Sequence, residues 1–167
     1  ICAVWGLAGV SEVQNVARTF PGVEHRNEFV RELDGVSYYN DSIGTTPSRT
    51  INGALSLFDR KILLIAGGYD KKIPFDPLGP AIVNKVKTLV LIGATAPKIE
   101  AAVKAAPGYR DGNPTILHAK TLEEAVGLCR ENAVNGDIVS LSPACASFDM
   151  FPNFETRGER FREIVNG

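Results

Sequence analysis

The chain has 167 residues, a sequence pI of about 6.2, and 18 Lys plus Arg against 19 Asp plus Glu, for a net charge of −1. Its 44% hydrophobic and 22% charged residues match a soluble globular domain and exclude disorder, collagen-like repeats and disulfide-dense scaffolds. At roughly 100–200 residues per domain, one domain with a small appendage is expected, and the near-neutral balance gives no diffuse attraction for nucleic acid or a membrane surface.

The chain opens on Ile1-Cys-Ala-Val-Trp-Gly-Leu-Ala8, without Met and without the charged and apolar regions of a secretion signal, so it reads as a piece of a longer polypeptide. Residues 11–20 carry Val13, Val16, Ala17 and Phe20 at helical spacing, with Ser11 as N-cap, and Pro21-Gly22 stops that helix. From Arg26 to Leu33 there is no clear periodicity; Asp34-Gly35 then signals a turn into Val36-Ser-Tyr-Tyr39, rich in strand formers. Thr46-Pro47-Ser48 can start a helix with Ile51, Ala54, Leu55 and Phe58 on one face.

Beyond that point apolar strands alternate with helices. Strands are predicted at 61–66, 88–92, 115–118 and 137–141, and helices at 77–86, 96–106, 121–133 and 157–165. Thr121-Leu-Glu-Glu124 matches a capping box. Strands without polar alternation are buried on both faces, and single helices between them are the crossovers of parallel pairing. The expected fold is a Rossmann-like, doubly wound α/β domain with a mostly parallel sheet and helices on both faces. The longest apolar runs fall well short of the ~20 residues of a membrane-spanning helix.

Ligands of such sheets sit at the carboxyl ends of the strands, which directs attention to loops 40–46, 67–75, 93–97, 119–121 and 142–154. Loop Asn40-Asp-Ser-Ile-Gly-Thr-Thr46 is dense in hydroxyl and carboxamide groups before a helix; capping and anion binding both explain it. Loop Gly67-Gly-Tyr-Asp-Lys-Lys-Ile-Pro-Phe75 lets backbone approach closely and offers Lys71 as a point charge, or is a turn with solvated lysines. Loop 142–154 is longer than a simple connection needs. Neither G-x-x-x-x-G-K-[ST] nor G-x-G-x-x-G occurs, so no Walker phosphate loop or dinucleotide fingerprint is encoded. The three cysteines, Cys2, Cys129 and Cys145, lack metal or redox spacing and read as thiols of a reducing cytoplasm. No base is in sight to activate Cys145, and His25-Arg26 by itself reads as surface.

Four stretches carry a resemblance: Phe20-Pro-Gly-Val-Glu-His-Arg26, Tyr39-Asn-Asp-Ser-Ile-Gly-Thr45, Gly67-Gly-Tyr-Asp-Lys71 with Phe75, and Leu141-Ser-Pro-Ala-Cys-Ala-Ser-Phe-Asp-Met-Phe-Pro-Asn-Phe-Glu-Thr-Arg-Gly158. Together they resemble the Mur ligases of peptidoglycan synthesis, the last stretch being closest to the branch that adds D-glutamate. The resemblance implies a three-domain enzyme in which residues 1–20 are the tail of the central ATPase domain and 21–167 the C-terminal amino-acid-binding domain.

The implied reaction is ATP-dependent. The carboxylate of UDP-N-acetylmuramoyl-L-alanine is phosphorylated, and the amine of D-glutamate attacks the acyl phosphate. By the same resemblance Thr45, Lys71, Ser147, Phe148 and Phe154 bind D-glutamate, and His25, Arg26 and Asp41 lie near ATP. No catalytic residue and no metal ligand is expected within this chain, ATP and its Mg2+ being held mainly by the central domain. A cytoplasmic monomer is expected. One position departs: the family's Asn-Asp-Ser-Lys form has Ile43 in place of Lys. The alternatives are a Mur or folylpolyglutamate-type ligase domain for another amino acid, recognised by other loop signatures, and a non-catalytic Rossmann-like binding module, recognised by the absence of any upstream phosphate loop.

Overall fold

The computed structural model describes residues 5–167, so Cys2 and most of the opening apolar segment lie outside the described residues. Helix α1 (Val10–Thr19) comes first and buries none of its residues, leaving Val10, Val13 and Val16 exposed. Its N-cap is Gly9 rather than the expected Ser11, which lies inside the first turn and donates its hydroxyl to Glu12.

Strand β1 (Glu28–Leu33) occupies the stretch that showed no periodicity. It is an edge strand, antiparallel to β2 (Val36–Asn40), with a register shift between Phe29 and Arg31. That shift, and partial exposure of both faces, erase the alternation that marks a half-buried strand. Asp34 and Gly35 both have positive φ, 53° and 75°, as the tight two-residue connection requires.

The predicted helix over 46–58 is two pieces, α2 (Pro47–Asn52) and α3 (Ala54–Leu57), parted at Gly53. There follow β3 (Ile62–Gly67), α4 (Leu78–Lys85), β4 (Val86–Ile92), α5 (Ala96–Lys104), β5 (Thr115–His118), α6 (Leu122–Asn132) and β6 (Ile138–Leu141). The closing helix α7 (Phe154–Asn166) starts three residues before the expected Arg157. Asn153 caps it, its side-chain oxygen accepting from the Thr156 N–H at 2.7 Å. On α6 the Thr121 hydroxyl accepts from the Glu124 N–H at 3.2 Å, while the Glu124 carboxylate accepts from the Lys120 N–H, one residue earlier than a strict capping box.

The six strands form one sheet in the order β1-β2-β6-β3-β4-β5, parallel except for β1. All of β3 is buried, and its side chains alternate between two apolar layers. Leu64 packs with Leu78, Ile82 and Ile99 of α4 and α5 on one face. Leu63 and Ile65 pack with Leu122, Val126 and Phe161 of α6 and α7 on the other. The doubly wound expectation therefore holds. The chain steps outward through β3, β4 and β5, then returns to insert β6 between β2 and β3. The loops after β2, β3 and β6 consequently diverge around one crevice at the carboxyl edge.

Candidate functional site

The β3 loop is shaped by glycine. Gly67 and Gly68 have φ of 117° and 144°, and a Cβ at either would collide with the carbonyl of Ile92 or of Ala146. Their role here is to let the loop lie against neighbouring backbone, where the Tyr69 N–H donates to the Ala146 carbonyl at 2.9 Å. Asp70 ties the next turn. Its carboxylate accepts from the Lys72 N–H at 2.8 Å and pairs with Lys98 at 2.6 Å, and these contacts, Lys98 first, draw its carboxyl down to about 2.

The turn leaves Lys71 exposed and aimed across the crevice, where its Nζ donates to Thr45 Oγ1 at 3.0 Å. Opposite, Ser147 is 2% exposed and its hydroxyl has no hydrogen-bond partner among the described residues. A buried hydroxyl with no partner costs about 1–3 kcal/mol. Phe148, 65% exposed, stands edge-on to Tyr69 with ring centroids 5.9 Å apart. Phe154 begins α7, and its carbonyl accepts from Ser42 Oγ at 2.7 Å.

Thr45, Lys71, Ser147, Phe148 and Phe154 thus line a single cavity of about 360 Å³, together with Ala146, Asn153 and Glu155. All five residues expected to bind the amino acid are brought together. Asn153 and Glu155 were missed because that stretch read as loop; the cap spacing from Asn153 to Thr156 is the signal that could have found the helix start.

Arg157 is the other residue without an expected role. It is 1% exposed and forms no salt bridge among the described residues; its guanidinium donates to Ser42 Oγ at 3.0 Å, the Ser42 carbonyl at 2.9 Å and the Cys145 carbonyl at 3.2 Å. Burial lowers its pKa to about 10. It clamps the β2 loop to the β6 loop and so fixes the distance across the cavity. Cys145 beside it is 2% exposed; its thiol lies 3.1 Å from the Thr95 hydroxyl and is pushed up to about 11 by burial.

A second, smaller cavity of about 260 Å³ is lined by Arg26, Asn27, Asp41, Ser48, Arg49, Asn52 and Gly53. Asp41 is buried, accepting from Ser142 Oγ at 2.6 Å and from the Asn27 N–H at 3.3 Å; burial raises its pKa against those contacts. Arg26 and Asp41 meet here, but His25 does not join them. Its ring is buried behind Phe154, bonded to the Asn40 amide at 2.9 Å and pressed against Gly158, where any Cβ would collide with it. No group of three or more His, Cys, Asp or Glu side chains that could hold a metal ion occurs among the described residues.

The sheet is a doubly wound, mostly parallel one whose switch-point loops bring a lysine, a buried hydroxyl and aromatic side chains around one cavity. The family model for the Mur ligase glutamate ligase domain matches residues 25–145, and the chain belongs to the Mur ligase family. It is 53% identical over 165 residues to the UDP-N-acetylmuramoylalanine–D-glutamate ligase of Clostridium acetobutylicum and 49% over 164 residues to that of Clostridium perfringens. These matches cover 99% and 98% of the chain and 36% of either relative, so the chain spans about a third of their length. Among solved structures it is similar in fold to a murein peptide ligase of Psychrobacter arcticus, with a TM-score of 0.58 and 17% identity, over 99% of this chain and 35% of that one.

Proposed function

We propose that the chain is the amino-acid-delivering C-terminal domain of an ATP-dependent ligase that joins D-glutamate to UDP-N-acetylmuramoyl-L-alanine in peptidoglycan precursor synthesis. On this reading residues 1–20 are the end of the central ATPase domain, and the enzyme acts in the cytoplasm. The observation that carries it is the convergence of Lys71, Thr45 and the unpartnered Ser147 hydroxyl on one cavity; identity near 50% to ligases of that name supports the choice of amino acid.

In the reaction, ATP transfers its terminal phosphoryl group to the L-alanine carboxylate. The D-glutamate amine attacks the acyl carbon, and phosphate departs with the bonding electrons as the amine loses a proton. This chain's share is positioning. Lys71 and Thr45 hold one carboxylate of D-glutamate by charge-assisted hydrogen bonds, and Ser147 with the backbone at Phe148 receives the other. The rings of Phe148 and Phe154 exclude water from the stem between them. Holding the amine at the acyl phosphate turns a bimolecular encounter into an oriented one.

Lys71→Ala in the complete ligase tests this. Losing a charge-assisted hydrogen bond costs about 1.5–3 kcal/mol, so KM for D-glutamate is expected to rise by about one to two powers of ten while the melting temperature holds. An unchanged KM would leave Lys71 as solvated surface and overturn the reading.

A further inference from the structure

The amino-acid cavity is lined by one cation and one anion, Lys71 and Glu155. They do not neutralise each other. Lys71 Nζ donates to Thr45 Oγ1, and the exposed Glu155 carboxylate joins no salt bridge or hydrogen bond among the described residues. Asn153 spends its side-chain oxygen on the Thr156 N–H at 2.7 Å, which fixes the first turn of α7 and with it the position of Glu155 beside the cavity. A carboxylate in the first turn of a helix is favourable toward the helix dipole wherever it faces. The dipole does not account for an unneutralised anion in a cavity whose other polar groups, Lys71, Thr45 and the unpartnered Ser147 hydroxyl, all meet carboxylates on the reading above.

A dicarboxylic amino acid presents three charged groups, and the third is an ammonium. We infer that Glu155 receives the ammonium of D-glutamate and is thereby a specificity-determining residue of the amino-acid cavity. The inference rests on the ligase reading above, which supplies the amino acid. A diacid without an amine would meet Lys71 and be repelled by Glu155, whereas an ammonium turns that repulsion into attraction, so the cavity selects by what it rejects as well as by what it holds. Three points of attachment also choose a hand. With its two carboxylates held at Lys71 and Ser147, the L enantiomer exchanges its ammonium with the α-hydrogen and aims the cation away from Glu155.

The test compares Glu155→Gln, Glu155→Asp and Lys71→Ala in the complete ligase, with glutarate and L-glutamate as competitors of D-glutamate. Glu155→Gln is expected to raise KM for D-glutamate about three- to tenfold while the inhibition constants of glutarate and L-glutamate stay level or fall; Lys71→Ala raises all three. Glu155→Asp keeps the charge and should recover part of the loss. A role confined to the helix dipole would lower the melting temperature of Glu155→Gln and leave its KM for D-glutamate within about twofold of the parent, and that KM overturns the inference while leaving the ligase reading intact. An inhibition constant for either competitor that rises in step with KM overturns it as well. If the parent does not ligate D-glutamate, the ligase reading fails instead, and the cavity is read by titrating the chain with D-glutamate and glutarate while following the side-chain carboxyl carbon resonances. A shift at Glu155 with D-glutamate and none with glutarate supports the ammonium site; equal shifts, or none with D-glutamate, overturn it.

Discussion

Cysteine chemistry in this chain is decided by burial. Cys145 sits in a motif dense with small residues beside the candidate site, where a nucleophile would be convenient, yet its thiol is pushed up to about 11 and its hydrogen-bond neighbour is a threonine. Cys129, on α6, is pushed up to about 12 by burial alone. Because both folded values exceed the 9.0 of a free thiol, the unfolded chain releases these protons first. Their ionisation therefore lowers stability as pH rises from about 9 to 11–12 and has no effect below that window. Neither Cys129 nor Cys145 should react with iodoacetamide in the folded chain at pH 7.5, and both should react once it is unfolded; mass spectrometry of the alkylated peptides decides. Cys145→Ala should keep most turnover in the complete ligase and cost roughly 1 kcal/mol of stability. A loss of several powers of ten in turnover with normal folding would reopen a covalent route.

Helix α7 shows how one element organises a site it only borders. Its first residue walls the amino-acid cavity, Arg157 one turn later clamps two loops, and Gly158 admits the His25 ring. Gly158→Ala would force a Cβ into the His25 ring between α7 and β2. The expected cost is that of overpacking, about 1–3 kcal/mol, read as a lower denaturation midpoint. A midpoint equal to the parent's would show that His25 can move aside. The contrast is α1, which buries none of its residues. Val16→Lys there should change the stability of the chain by less than about 0.5 kcal/mol, and a larger loss in a thermal melt would mean that α1 packs on the sheet domain.

Across the whole molecule, the loops at the carboxyl edge of the sheet gather around two cavities. One is lined by Thr45, Lys71 and Ser147, the other by Arg26, Asp41 and Arg49, and the sequence contains no G-x-x-x-x-G-K-[ST] phosphate loop. The chain by itself is expected to show neither ATP hydrolysis nor D-glutamate ligation. Release of phosphate from ATP by the highly purified chain, abolished by Lys71→Ala, would contradict this.

The elements that read clearly in the sequence are those whose local pattern and final environment agree. β3 and β4 are unbroken apolar runs because both faces of a central parallel strand are covered, and α6 announces itself through Thr121 and Glu124. Gly67-Gly68, Lys71 and the long 142–154 loop stand out in the sequence as connections at the carboxyl edge, and the structure sets Lys71 and part of the 142–154 loop on one cavity. β1 was not, because an edge strand with a register shift keeps no period, and the break at Gly53 was hidden by an apolar face continuous across it. Pairing was beyond reach of any local pattern. Only the return of β6 between β2 and β3 sets Ser147 opposite Lys71 and Thr45, and only packing shows that His25 turns inward while its neighbour Arg26 turns toward Arg49. Residue types and spacing determined which groups were available; long-range burial and strand order, which depend on contacts between distant segments, decided which of them meet.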